Sequence, residues 1–409
     1  MKKIVLLHNS APPIVGGVES VLGHHARLMV DAGHQVRIVA GRGEQVDARI
    51  PFISIPLLDS RHEQVLTLKA DLDAGRVPKE FDLLVERIVS QLREAIADAD
   101  ILIAHNVCSL NKNLALTAAL HKLSETYRQP HLILWHHDLA WTTPRYRAEL
   151  HDGYPWDLLR TAWPGVTQVV VSEMRQRELA ELMSLPLEKI TVVPNGVDAA
   201  SFLKLETQTL NFVKQLDLFE AAPLLLLPVR ITPRKNIELA LHVLAVLRRK
   251  NPRAALVVTG PLGPHNPANV KYFERLTKLR AELGLIGSAH FLAELTDSYL
   301  PDAVIADFYR LADALFMPSR EEGFGIPVLE AGLAGIPVFC SDIEPLRKLG
   351  REQALYFSPD AKPEEVAALI INHLDSQLSF KLRTRVRMKY TWEGIYMNII
   401  APILENRQP

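Results

Sequence analysis

Short runs of nearly unbroken apolar residues, alternating with longer stretches of helical character, constrain this chain more than any other feature. Residues 223–229 read Pro-Leu-Leu-Leu-Leu-Pro-Val and hold no polar side chain. A strand of that composition suits a sheet covered on both faces. A helical stretch at 237–249 follows, then an apolar run at 255–259 and a helix at 270–283. Further runs lie at 289–292, 314–317 and 338–340. The first half has the same rhythm: a run at 3–7, a helix at 18–30 closed by Gly33, and a run at 35–40. Strands are also expected at 101–104, 131–135, 168–172 and 190–193, with helices at 80–96 and 113–126. Strand–helix–strand units build parallel sheets. The expectation is therefore α/β, as two doubly wound domains in tandem joined within 197–222, after Pro194-Asn195-Gly196. Residues 391–404 read as a helix that Pro402 kinks or ends.

Composition narrows the class. A chain of 409 residues is too long for one ordinary domain and suits two. Its 48% apolar and 23% charged residues are those of a globular protein. A formal net charge of −1 provides no global basic field for nucleic acid or anionic lipid. Cys108 and Cys340, the two cysteines, sit in apolar neighbourhoods and read as buried free thiols of a reducing compartment. The apolar stretch at 4–7 is too short for a signal-peptide core. No apolar run approaches the roughly 20 residues of a membrane span. These points suggest a soluble cytoplasmic protein with no nucleic-acid partner and no integral membrane contact; peripheral contact stays compatible with them.

The chemistry concentrates at 319–331, Ser-Arg-Glu-Glu-Gly-Phe-Gly-Ile-Pro-Val-Leu-Glu-Ala. It follows a short buried strand, turns on Gly323 and Gly325, and starts a helix near Pro327. Helix N-termini attract phosphate because their first N–H groups are unpaired and carry partial positive charge. Glycine lets a ligand come close to the backbone, and proline is tolerated at a first helical position. Glu322 and Glu330, with seven residues between them, would repel phosphate. They make sense as acceptors for hydroxyls on a sugar and a ribose. A sugar joined to a nucleoside diphosphate has both features. A plain glycine turn with solvent-facing acids accounts for the same residues.

This segment resembles the Glu-x7-Glu signature of family 4 retaining glycosyltransferases, which have the GT-B fold. The match extends upstream to Asp313-Ala314 and downstream to Gly335-Ile336-Pro337-Val338. The resemblance implies two Rossmann-like domains facing a central cleft: an acceptor-side domain over 1–200 and a nucleotide-sugar domain over 201–384. It also implies a C-terminal crossover helix over 385–409. It gives Glu322 the transferred sugar, Glu330 the ribose, and the backbone around Gly323, Phe324 and Gly325 the phosphate or sugar.

Arg230 and Lys235 follow the first strand of the second half, with the family's Arg-x4-Lys spacing. Ligands of open α/β sheets bind beyond the carboxyl ends of strands, and fixed cations there stabilise a departing diphosphate. Solvated charges at a helix start are the alternative, disfavoured by the helix dipole. Arg234 is a weaker candidate. Gly16 and Gly17, in Gly-Gly-Val-Glu, resemble the family's glycine pair at the donor phosphate, although a Gly-Gly turn alone is common. The dehydrogenase fingerprint Gly-x-Gly-x-x-Gly is absent. His137, before Asp138, takes the place of a family histidine near the sugar, with the adjacent His136 leaving that open by one position. A metal site built on His136, His137 and Asp138 is disfavoured, because consecutive side chains of extended backbone face opposite ways. His105 and Asn106 are further candidates, more often structural.

The stretch 141–163 is rich in aromatic and basic residues. Trp141, Arg145, Tyr146 and Arg147 are candidates for an acceptor, an acidic one if the arginine forks hold it. A long ordered loop with a small core of its own is the alternative. Asp71, Asp73, Asp98 and Asp100 form two Asp-x-Asp triplets, both away from the expected diphosphate site, and read as solvated acids. No metal and no cofactor are expected beyond the nucleotide-diphosphate sugar as donor substrate. The family's compact glycine turn is replaced at 261–267, and its common glycine near 293 is Ala293. The base is therefore unassigned.

The implied activity is retaining, metal-independent transfer of a hexose from a nucleotide-diphosphate sugar to a carbohydrate hydroxyl. A small soluble acceptor is favoured over a lipid, because basic amphipathic character is scarce. The rivals are a disaccharide phosphorylase using inorganic phosphate, a sugar-nucleotide epimerase needing no acceptor, and a sensor that binds donor without turnover.

Overall fold

The computed structural model describes residues 1–126, 129–261, 267–296 and 299–405. Two compact units emerge: Met1–Gly196 with the chain from Trp392 onward, and Val197–Thr391. Among the described residues no helix is long and apolar enough to cross a membrane.

The first unit is a parallel sheet of β1 (Lys3–Ser10), β2 (Gln35–Arg42), β3 (Phe52–Ser54), β4 (Ile101–His105), β5 (His131–His136), β6 (Thr167–Val170) and β7 (Ile190–Val192). Their spatial order is 3-2-1-4-5-6-7. Every strand pair is parallel, with Leu6 opposite Ile38 on one side and Ile103 on the other. Alternate residues pack on opposite faces, as the two-residue strand period demands. Val5, Leu7, Leu102 and Leu134 enter one core with the helix Glu80–Ile96. Ile4, Leu6, Ile103 and Ile133 enter the other with the helix Gly17–Asp31 and the C-terminal residues Trp392, Tyr396 and Leu404.

The second unit repeats the plan with β8 (Leu224–Leu227), β9 (Ala255–Val258), β10 (Ala289–Phe291), β11 (Ala314–Met317), β12 (Val338–Ser341) and β13 (Leu355–Phe357). Their order is 10-9-8-11-12-13, again parallel. Leu225, Leu227, Val258 and Phe316 line one face, and Leu224, Leu226, Val257 and Met317 the other. Asp313, just before β11, accepts from the Leu224 amide at 2.7 Å and pairs with the buried Arg387 guanidinium at 2.8 Å. That carboxylate fixes the register of β11 against β8.

Residues 392–404 are helical without a break, as expected over 391–404, whereas the expected single helix over 385–409 is interrupted at Tyr390 and Thr391. The helix Leu378–Lys389 ends in the second unit, and a new turn starts at Trp392. A π-turn, Tyr396–Ile400, then precedes a last helical turn, Ala401–Leu404. Pro402 lies inside this helical run, which ends two residues later at Leu404. Gly196 is glycine because a Cβ there would come within 2.6 Å of the Trp392 indole.

Candidate active site

In each sheet the strand order reverses at one place, between β1 and β4 and between β8 and β11. Ligands of open α/β sheets bind beyond the carboxyl ends of the strands at such a switch point. In the second unit, both motifs from the sequence leave that point, one after β8 and one after β11.

After β8 the chain runs extended through Thr232 and makes one tight turn, Pro233–Lys235. It passes Asn236 in a left-handed conformation (φ 52°) and enters the helix Ile237–Lys250. Asparagine tolerates that conformation better than most residues. Its side-chain amide donates to the Pro359 carbonyl at 3.0 Å. The turn directs Lys235 inward, while Arg230 stays exposed. After β11, Ser319 is buried and the Arg320 amide donates to the Arg234 carbonyl at 2.8 Å, joining the two loops. The Lys235 ammonium then meets the Glu322 carboxylate at 2.5 Å. Their side chains are 9% and 8% exposed. A pair this dry persists only because each charge neutralises the other.

Gly325 follows with φ +102°, and a Cβ there would approach Leu346 to 2.6 Å, so both conformation and space select glycine. A Cβ at Gly323 would meet open space. Phe324 is largely exposed. The helix Ile326–Ala334 begins at Gly325 without a side-chain cap, which leaves its N-terminus open to an anion. Glu330, on this helix, accepts from the Tyr309 hydroxyl at 2.5 Å. Burial, and then the neighbouring carboxylate, push the Tyr309 phenol far above its usual range. Arg230, Lys235, Glu322, Gly323, Phe324, Gly325 and Glu330 thus occupy two adjoining loops and the helix that follows one of them.

The remaining candidates lie in the first unit. Gly16 is extended (φ −173°) just before the helix Gly17–Asp31, and a Cβ there would collide with the Glu19 carboxylate. Glu19 accepts from the Ser10 hydroxyl at 2.6 Å. Gly17 faces open space.

Histidines crowd the ends of β1, β4 and β5. The His8 ring bonds the His105 carbonyl at 2.7 Å, and the His105 ring lies 3.4 Å from that of His137. Asn106, left-handed at φ 54°, accepts from the amides of both His137 and Asp138 at 3.0 Å. His136 turns inward and bonds Gln168 at 2.7 Å. Burial and then neighbouring histidines lower the His137 pKa to about 3; burial lowers that of His136 to about 4.

In the 141–163 stretch, Trp156 and Trp163 are core residues, and Trp141 and Tyr146 pack against the same core. The Arg160 guanidinium stacks on the Trp141 ring at 4.0 Å and pairs with Asp152 and Asp157. Arg145 and Arg147 are exposed, over the rings of Tyr146 and Trp141 at 4.8 and 5.3 Å. Both Asp-x-Asp triplets are tied to nearby cations or backbone: Asp71 to Arg76, Asp73 to Lys69, Asp98 to Lys3 and Arg37, Asp100 to the Lys3 amide. Among the described residues no group of three or more His, Cys, Asp or Glu side chains could hold a metal ion.

Sequence reasoning had no signal for Tyr309, Asn106 as an amide acceptor, or the direct contact of Lys235 with Glu322. Of the 261–267 departure, residues 262–266 lie outside the described residues. Ala293 sits in a single turn, Leu292–Glu294.

Two family descriptions match the chain in succession: Glycosyltransferase Family 4 over residues 15–201 and Glycosyl transferases group 1 over 209–391. Mannosylglucosylglycerate synthase of Thermotoga maritima is 26% identical over 84% of this chain and 83% of its own. An MMP α-(1→4)-mannosyltransferase of Mycolicibacterium hassiacum is 24% identical over 98% and 97%. A D-inositol 3-phosphate glycosyltransferase of Jonesia denitrificans is 28% identical over 57% and 55%.

Proposed function

This chain belongs to glycosyltransferase family 4, and we propose that it moves a hexose from a nucleotide-diphosphate sugar to an acceptor hydroxyl with retention at the anomeric carbon. The observation that carries this reading is the buried Lys235–Glu322 pair at the β8–β11 switch point, beside an uncapped helix N-terminus. One group suits a phosphate and the other a sugar hydroxyl, and a nucleotide sugar brings both.

The acceptor oxygen attacks C1 of the sugar as the C1–O bond to the diphosphate breaks. The departing phosphate oxygen takes the acceptor proton, giving the glycoside and a nucleoside diphosphate. Attack and departure on one face retain configuration. Arg230, Lys235 and the N-terminus of Ile326–Ala334 stabilise the charge that grows on the diphosphate. Glu322 orients the sugar and Glu330 holds the ribose. The proposed parts for the first unit are the sugar for His137, held neutral by burial, and the donor phosphate for Gly16 and Gly17. Because side-chain cations do the electrostatic work, turnover is expected to survive a chelator.

For the acceptor, a small soluble acidic glycoside is favoured. Two relatives are named for a glycerate glycoside and for inositol 3-phosphate, and Arg145 and Arg147 are exposed cations. Reversing charge with Arg147→Glu should raise the KM of an acidic acceptor about tenfold, the loss of one charge-assisted hydrogen bond. Donor KM should stay put. An unchanged acceptor KM would remove Arg147 from the site.

The donor is tested by melting the protein with UDP-, GDP- and ADP-sugars in the presence of EDTA. A ligand of the folded state raises Tm, by the equivalent of about 2.7 kcal/mol at a hundredfold excess over Kd. One nucleotide class should stand out, and Glu330→Ala should weaken it. Stabilisation by phosphate alone, with no response to any nucleotide sugar, would overturn the reading.

A further inference from the structure

We propose that Tyr309 is a positioning residue that aims the Glu330 carboxylate and thereby sets the preference of the site for a ribonucleotide over a deoxyribonucleotide. This rests on the reading of Glu330 as the ribose acceptor.

Three observations carry it. Tyr309 is buried at 4% exposure, and its ring belongs to a core that includes Val304, Phe308, Val328 and Ala331. Its hydroxyl meets Glu330 at 2.5 Å. The helix that carries it, Asp302–Leu311, is itself pinned. Asp307 is fully buried and accepts from the Glu206 amide at 2.8 Å and the Thr209 hydroxyl at 2.5 Å. A tyrosine has two side-chain torsions, and packing here fixes both. Glu330 has three and is only partly buried, so its carboxylate would otherwise sample several rotamers. The phenol resists ionisation and acts as a donor at every working pH. One lone pair of Glu330 is thereby committed, and the carboxylate plane is set. The remaining lone pairs can accept two vicinal hydroxyls in one defined direction. Positions held this way by a second layer of contacts are what precise recognition needs.

The test is calorimetric binding to the full chain of UDP, GDP and ADP, each beside its 2′-deoxy and 3′-deoxy form. In the native protein the preferred ribonucleotide should bind at least about tenfold tighter than either deoxy form, the worth of one hydrogen bond to a charged group. Tyr309→Phe removes one oxygen and no ring contact. It should cut that ratio to about threefold or less, raising donor KM while kcat stays within about twofold. Glu330→Asp, which withdraws the carboxylate from Tyr309 but keeps its charge, should lower the ratio in the same way. A purely structural tyrosine would lower Tm and leave the ratio alone, and that result overturns the proposal. If the native protein itself fails to separate ribo from deoxy forms, the assignment of Glu330 to ribose falls instead.

Discussion

Replacing Lys235 by alanine should cut turnover by about 10²- to 10³-fold, the range seen when a single preorganised charge donor is removed from a reacting centre. Its target is the charge on the departing diphosphate, so kcat should fall more than donor KM rises. A complication follows from the 2.5 Å contact with Glu322. Alanine leaves a carboxylate that is 8% exposed without its cation. An uncompensated buried charge costs about 3–5 kcal/mol of stability, so low activity alone would be ambiguous. The double variant Lys235→Ala/Glu322→Gln separates the effects: stability should return toward native while turnover stays low. Glu322→Gln alone gives the opposite signature. It frees Lys235 and removes a negative charge facing the phosphates, so the free nucleoside diphosphate should bind about tenfold tighter, equivalent to about 1.4 kcal/mol. Sugar transfer should nevertheless slow. A double variant with native turnover, or Glu322→Gln with weakened diphosphate binding, would sink the assignment.

The parts of this molecule legible in its sequence share a physical reason. Central strands of a sheet covered on both faces must be apolar throughout, so β1, β4, β8 and β11 stand out as runs. Of the four edge strands, β3 and β13 are three residues long and only partly buried, and their composition does not distinguish them from loop. The helix Asp302–Leu311 buries Val304, Phe308, Tyr309 and Leu311 on one side, a clear apolar stripe that sequence reasoning passed over. The π-turn at Tyr396–Ile400 replaces regular helix with the same residue types, and spacing cannot show that. For the site, Glu322 and Glu330 sit on one strand–turn–helix segment, so their spacing is visible in the chain. Lys235 and Glu322 are 87 residues apart, and only the adjacency of β8 and β11 makes them neighbours. Tyr309 and Glu330 meet by packing of one helix on another, without a motif. Aromatic content misleads at 141–163, since indole and phenol rings serve a core as readily as a sugar face. Trp156 and Trp163 belong to that core.

The first unit should lose stability steeply as pH falls from about 6.5, while its carboxylates are still ionised. His8, His25, His105, His136 and His137 all have pKa values below the ordinary 6.5, with burial the largest cause in each. For His25 and His137 the value is about 3. Glu19 opposes the shift at His8, whereas Lys112 adds to it. The sign follows from linkage. These imidazoles are neutral in the folded unit, whereas in the unfolded chain they take up a proton near pH 6.5. Their contribution is complete above that pH and is lost as pH falls toward the folded values, by roughly 2 kcal/mol at pH 5 for each of His25, His136 and His137, whose folded values are about 3, 4 and 3. Such losses are a sizeable share of the stability of an ordinary domain, about 5–15 kcal/mol. All five tryptophans, at 135, 141, 156, 163 and 392, lie in this unit, so indole fluorescence follows it alone. Urea midpoints should fall between pH 6.5 and 5. His25 offers the sharpest check. It packs between Trp135, His105 and Trp392, and neither ring nitrogen has a hydrogen-bond partner among the described residues. A phenylalanine would keep the ring contacts and cannot take up a proton. His25→Phe should fold as well as the native protein at pH 8 and move the acid transition to lower pH. If the transition stays where it is in that variant, protonation of His25 plays no part in acid unfolding.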